Sequence, residues 1–313
     1  MVFVLTFAIP TLLILFGINH SVDKGLRTNG SWSTNEWKDI YGSRLDADIL
    51  MLGSSRTWVH LNPVIFDSIT GMNSYNLGMD AYAIDFHIDR FWASVHHNRK
   101  PKFIIQNMDA LTLRRSGYVD YDKEQFLPYL YEEELRDDLI ANGLSWKDRF
   151  FPLFKYRGMS HLIWSTINQL YFGGPTAATK PKGYMGQDQK WSDDFRKFRA
   201  QHSTYDVALD PEMIKKLDSM IAYCAQEDIV VVIAHLPMYD EATTMMTKKP
   251  MMDSIMYAFE NKYLGSCYYM DHSKTSFSSD TNYFYNATHM NYKGADSISS
   301  ILARQLLEIN RGK

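Results

Sequence analysis

Short apolar runs that stop at a glycine or a polar residue, each followed by a helical stretch, recur along this chain and constrain its fold more than any other feature. Ala47-Asp48-Ile49-Leu50-Met51-Leu52 ends at Gly53, Ser74-Tyr75-Asn76-Leu77 ends at Gly78, and Phe103-Ile104-Ile105 ends at Gln106-Asn107. Ile229-Val230-Val231-Val232-Ile233-Ala234 and Cys267-Tyr268-Tyr269-Met270 follow late in the chain. Near-continuous apolar strands of this kind need cover on both faces. The connecting stretches supply it. Between Ala81 and His97, the residues Ile84, Ile88, Phe91, Trp92 and Val95 fall on one helical stripe. Asp210-Pro211 sets an N-cap before a proline, opening a helix with Ile214, Leu217, Ile221 and Cys224 on one side, and Asn62-Pro63 repeats that start signal. The alternation predicts right-handed crossovers and an α/β fold with a doubly wound parallel five-stranded sheet. Ligands of such sheets bind beyond the carboxyl ends of the strands.

Length and composition narrow the function classes. A chain of 313 residues suffices for one large domain or two small ones. With 45% apolar and 22% charged residues it is far from the composition of disordered chains. Its 33 Lys+Arg against 36 Asp+Glu leave a net charge of −3, without the positive field of a general nucleic-acid binder, so no nucleic-acid partner is expected. Cys224 and Cys267 are the only cysteines, too few for a disulfide scaffold and without C-x-x-C spacing for zinc or redox work. Buried free thiols are the expectation, with a single bridge as the alternative.

From Val2 to Ile18 no residue is charged, and 17 helical positions at about 1.5 Å each just cover a hydrocarbon core about 30 Å thick. Residues 1–25 therefore read as a transmembrane anchor or signal segment, with a buried core helix as the other reading. Lys24 and Arg27 follow the span, which by the positive-inside tendency alone places the body in the cytoplasm. Residues 26–46, with Asn29-Gly30-Ser31, read as a polar connector, and 47–313 as the body. Between about 111 and 210 the alternation lapses into a stretch rich in aromatics and charge, read as a helical insertion. Within it, Gly173-Gly174-Pro175 to Gly183-Tyr184-Met185-Gly186 reads as a loop.

The first strand runs into Gly53-Ser54-Ser55-Arg56, which sets a serine hydroxyl at a strand's carboxyl end and at the start of a helix. Such a place suits a nucleophile, because free backbone N–H groups there can meet an oxyanion. Taken alone, the tetrapeptide reads as a helix cap before it reads as a nucleophile. Far along the chain, Asn286-Ala287-Thr288-His289-Met290-Asn291 puts a histidine just before a helix bearing Ile298, Ile301, Leu302 and Leu306.

Together these blocks resemble the SGNH (GDSL-like) hydrolase superfamily, in particular its membrane-anchored bacterial branch, whose members accompany acyl transfer onto cell-surface polymers such as polysaccharide and teichoic acid. The resemblance covers residues 47–110 and 205–310 and implies a flavodoxin-like SGNH fold. Gly53-Ser54-Ser55 matches the family's Gly-Asp-Ser block with serine in the aspartate position, which implies Ser55 as nucleophile. Gly78 matches the glycine block that serves the oxyanion hole, and His289 matches the histidine of Asp-x-x-His, followed by Asn291 and Gly294. The third block, Gly-x-Asn-Asp in the family, stands here as Gln106-Asn107-Met108-Asp109, which makes Asn107 the candidate oxyanion donor. Asn286 occupies the aspartate position, where its carbonyl oxygen can orient the imidazole without contributing a charge.

The implied function is that of an extracytoplasmic serine esterase or O-acyltransferase on acyl esters of a cell-surface glycan or polymer. The catalytic set is Ser55, His289 and Asn286, the oxyanion hole is Ser55, Gly78 and Asn107, and no metal or other cofactor is implied. The alternative is a catalytically weak accessory or polymer-binding subunit of a membrane-bound O-acyltransferase. The resemblance places the chain in the bacterial cell membrane through its N-terminal helix, with the body outside the cytoplasm. His235 reads as structural before substrate-binding, Asp271 as a turn cap or an orienting acid, and His96-His97 as exposed.

Overall fold

The computed structural model describes residues 2–115, 122–175, 180–192 and 194–312, with side chains from residue 6 onward. It comprises two compact units, Met1–Arg44 with Ser116–Lys180, and Leu45–Arg115 with Pro181–Lys313. The insertion expected over 111–210 thus contributes to both units. Of the loop expected over 173–186, residues 176–179 lie outside those described.

In the first unit, helix α1 (Val2–Asn29) changes character along its length. Phe7, Leu13, Ile14 and Phe16 are each more than half exposed, whereas Val22 and Leu26 are buried with Leu127, Tyr156 and Leu162. Asp23 accepts from Lys155 Nζ at 2.9 Å and from the Tyr156 hydroxyl at 2.5 Å, which pairs a buried ammonium. Among the described residues, Thr6–Asn29 is the one helix long and apolar enough to cross a membrane. The expected connector is folded: Trp37 and Ile40 of the helix Asn35–Tyr41 are fully buried, and the Trp37 ring packs on Phe126 and Tyr129. The apolar i, i+3 pair outweighs the polar residues around it.

The second unit is built on five parallel strands, β1 (Ile49–Leu52), β2 (Ser74–Asn76), β3 (Phe103–Asn107), β4 (Val230–His235) and β5 (Cys267–Asp271), in the order β2-β1-β3-β4-β5. This is the flavodoxin-like order, and its switch point lies at β1 and β3. Every residue of β1, β3 and β4 is buried, the apolar runs as predicted and also the polar Gln106, Asn107 and His235 at the carboxyl ends of β3 and β4. Alternate residues serve opposite faces. Ile49, Met51, Phe103, Ile105, Val230 and Val232 pack against Ile298, Leu302 and Leu306.

Helices cover both faces of the sheet. They are α2 (Ser55–His60), α3 (Pro63–Thr70), α4 (Ile84–His97), α5 (Pro211–Gln226), α6 (Lys249–Lys262) and α7 (Tyr292–Arg311). α7 packs on α2 and α3, α4 on α5, and α6 on β5. The expected caps form. Asn62 accepts from the Val64 N–H at 3.1 Å and Asp210 from the Glu212 N–H at 2.9 Å, each before a proline at N1. Cys224 and Cys267 are buried free thiols.

Candidate active site

The chain leaves β1 through Gly53 at φ +148°, and a Cβ there would run into Thr57 Oγ1, so this position requires glycine. Ser54 follows as N-cap of α2, accepting from the Arg56 N–H at 3.4 Å and donating its hydroxyl to Asp109 Oδ2 at 2.5 Å. Ser55 is then the first helical residue, whose N–H has no acceptor within the helix. Its Oγ lies 2.8 Å from His289 Nε2.

His289 is held by a tight loop ahead of α7. Asn286 Oδ1 accepts from the Thr288 N–H at 3.0 Å and the His289 N–H at 2.9 Å, and it lies 3.1 Å from His289 Nδ1. Two backbone donors fix which end of the amide is oxygen, and an oxygen opposite Nδ1 requires the proton on Nδ1. Nε2 therefore carries the lone pair toward Ser55. The Thr288 hydroxyl, 3.2 Å from Asn286 Oδ1 and 3.0 Å from Nδ1, closes the same cluster. Burial and the nearby Arg56 guanidinium lower the imidazole pKa to about 4, against the opposing pull of Asp80 and Asp109. His289 is neutral near pH 7, the form a general base needs.

Three groups left without a role by the motifs, two of them buried, hold this arrangement. His60, the last residue of α2, accepts the Met290 N–H on its Nε2 at 2.9 Å and so ties the helix that Ser55 begins to the histidine loop. Burial and Arg56 keep His60 neutral, with its pKa well below the ordinary histidine value. Arg56 donates Nη2 to the carbonyls of Leu236 and Pro237, pinning the loop after β4. Asp109 is half-buried, and its pKa is lowered by Arg56 and by the hydrogen bonds from Ser54 and Leu111, which outweigh desolvation. The signal for Asp109 was its place in the third block; a lone histidine such as His60 offers none.

The geometry brings Ser55, His289 and Asn286 together and engages the N–H of one expected oxyanion donor, Gly78, elsewhere. The Gly78 N–H donates to Asn76 Oδ1 at 2.9 Å, and a Cβ on Gly78 would collide with the Trp58 backbone, so close packing against α2 accounts for this glycine. Asn107 is fully buried, with Oδ1 accepting from the Leu236 N–H at 3.4 Å and Nδ2 without a partner. Neither residue is among those lining the adjacent cavity of about 530 Å³, whereas Ser54, Ser55, Arg56, Asp109 and His289 are. His235 is buried outside the cavity, its pKa lowered by burial and by Arg56. Asp271 pairs with Lys249 at 2.7 Å and Asp280 caps the turn at Asn282, so neither orients His289. Among the described residues, no three or more His, Cys, Asp or Glu side chains are grouped to hold a metal ion.

No family model and no curated protein matches the sequence. Among solved structures, the chain is similar to a Streptococcus pneumonia protein provisionally assigned as a platelet activating factor, at 10% identity over 98% of this chain and 99% of that one, with a TM-score of 0.44. It is also similar to a Bacteroides fragilis protein provisionally assigned as an acylhydrolase, at 12% identity over 86% of this chain and 89% of that one, with a TM-score of 0.39.

Proposed function

We propose that this chain is a serine esterase or O-acyltransferase of the SGNH (GDSL-like) kind, acting outside the cytoplasm on acyl esters of a cell-surface glycan or polymer and held at the membrane by α1. The observation that carries the reading is the continuous chain from Ser55 Oγ through His289 Nε2 and Nδ1 to Asn286 Oδ1. In the first step the Ser55 proton passes to Nε2 as Oγ bonds to the acyl carbon. Collapse of the tetrahedral intermediate breaks the ester C–O bond, and the imidazolium returns the proton to the departing alcohol. Water or an acceptor hydroxyl then attacks the acyl-enzyme, with Nε2 again as base. The Ser55 N–H is the donor placed to meet the oxyanion, since the Gly78 N–H is spent on Asn76 Oδ1, while Asn107 keeps its Nδ2 donor without a partner.

Asn286 favours a second reading, an accessory subunit docked on a membrane-bound O-acyltransferase, because an amide cannot stabilise imidazolium with a full charge. A fluorophosphonate reagent separates the two. Covalent labelling of Ser55 in the native chain supports catalysis; no labelling, with the fold intact by circular dichroism, supports the accessory role.

A further inference from the structure

The cavity beside Ser55 has a mostly apolar lining, with the buried Arg56 guanidinium next to Ser55 and exposed carboxylates at its mouth. Tyr82 and Phe195 are 7% and 8% exposed, and Met238 and Ala242 are each 2% exposed. The charged lining side chains Asp194 and Asp206 are instead 75% and 65% exposed. Asp109, half-buried in the lining, has its oxygens taken by Ser54 and the Leu111 N–H beside the Arg56 charge. A buried sugar ring would need several converging polar groups. The Tyr205 hydroxyl, which could supply one, faces the Met238 sulfur at 3.7 Å. A volume of about 530 Å³ suits a drug-sized ligand and far exceeds an acetyl group.

We infer that this interior is an acyl-chain pocket, so that the ester cleaved at Ser55 carries an apolar, medium-length acyl group, with its alcohol part lying at the charged mouth. The inference rests on the reading of Ser55 as nucleophile for its kinetic consequence, while binding of the chain itself does not require that reading. Small Ala242, on the helix Asp240–Thr244, leaves the space that the chain fills.

Two measurements test it. Across p-nitrophenyl esters from acetate to octanoate, kcat/KM rises by about fourfold per added methylene, the factor expected from burying each one. In parallel, calorimetric titration of the Ser55→Ala chain shows saturable binding of decanoate and none of butyrate. Ala242→Phe, which fills the interior, abolishes decanoate binding; should that variant fail to fold, Phe198→Ser on the exposed rim weakens it. Turnover that falls with chain length, together with no decanoate binding, overturns the pocket while leaving the esterase reading intact. Absence of any ester turnover with decanoate bound, and displaced by Ala242→Phe, overturns the esterase reading while supporting the pocket.

Discussion

Asn286→Asp tests the catalytic reading at its most exposed point. The substitution is nearly isosteric, and a carboxylate can accept all the hydrogen bonds that Asn286 Oδ1 now accepts, from the Thr288 and His289 N–H groups, the Thr288 hydroxyl and Nδ1. The loop is therefore kept and only charge is added. Opposite charges about 4 Å apart interact by about 4 kcal/mol at an effective dielectric of about 20. Desolvation of the new carboxylate and partial solvent access to the loop reduce that to about one to two pKa units of net stabilisation of imidazolium. The sign follows directly. A pKa now near 4 rises, and since the base must be neutral, the acidic limb of activity moves to higher pH. Above the new pKa the gain is complete, about tenfold to hundredfold in the rate of acylation. It stays below the roughly 10⁴-fold loss seen when a serine protease aspartate becomes asparagine, because much of that loss comes from the wrong tautomer. Here the tautomer is already correct. The assay is the rate of fluorophosphonate labelling from pH 3.5 to 9. An unchanged limb with an unchanged or lower plateau refutes the orienting role of Asn286.

Three further outcomes are expected. Ser55→Ala abolishes labelling, whereas Ser54→Ala retains it at a reduced rate with a stability loss of about 0.5–2 kcal/mol, since it removes the α2 cap and a donor to Asp109; tryptic mapping of the label on Ser54 instead would reverse the assignment. His87, fully buried, has its pKa lowered from 6.5 to about 4 mainly by desolvation, so it contributes about 3 kcal/mol of stability at neutral pH. Because the folded pKa is depressed, that stability is lost as pH falls from about 6.5 toward 4, and denaturant midpoints that stay flat across this window would contradict it. Removing residues 1–17 leaves the first unit folded, whereas removing 1–25 takes away Val22 and the Asp23 partner of buried Lys155 and destabilises it by about 3–5 kcal/mol or more, an ordering that protease resistance of the two truncations checks.

What could be read from the sequence follows from how each signal arises. The strands were legible because a sheet covered on both faces demands uninterrupted apolar residues, and β1, β3 and β4 are buried throughout. The proline-preceded caps at Asn62 and Asp210 were legible because they are local chemistry. The first unit was not. Its core joins Val22 and Leu26 to Leu127, Tyr156 and Leu162, more than a hundred residues away in sequence, and no period in either segment announces the other. His60 was hidden for the same reason, since its partner is the backbone N–H of Met290.

Gly78 and Asn286 show how far a motif position can be carried. A glycine after β2 is compatible with an N–H aimed at an oxyanion and equally with one turned to Asn76, and only the backbone decides. At position 286 the structural and electrostatic requirements separate. The loop needs an acceptor oxygen that gathers two backbone N–H groups and the Nδ1 proton, and asparagine meets that need as well as aspartate. Only the stabilisation of imidazolium distinguishes the two residues. An asparagine here accordingly implies a His289 of lower basicity held in the productive tautomer. In the proposed mechanism, that arrangement slows proton transfer without dismantling the site.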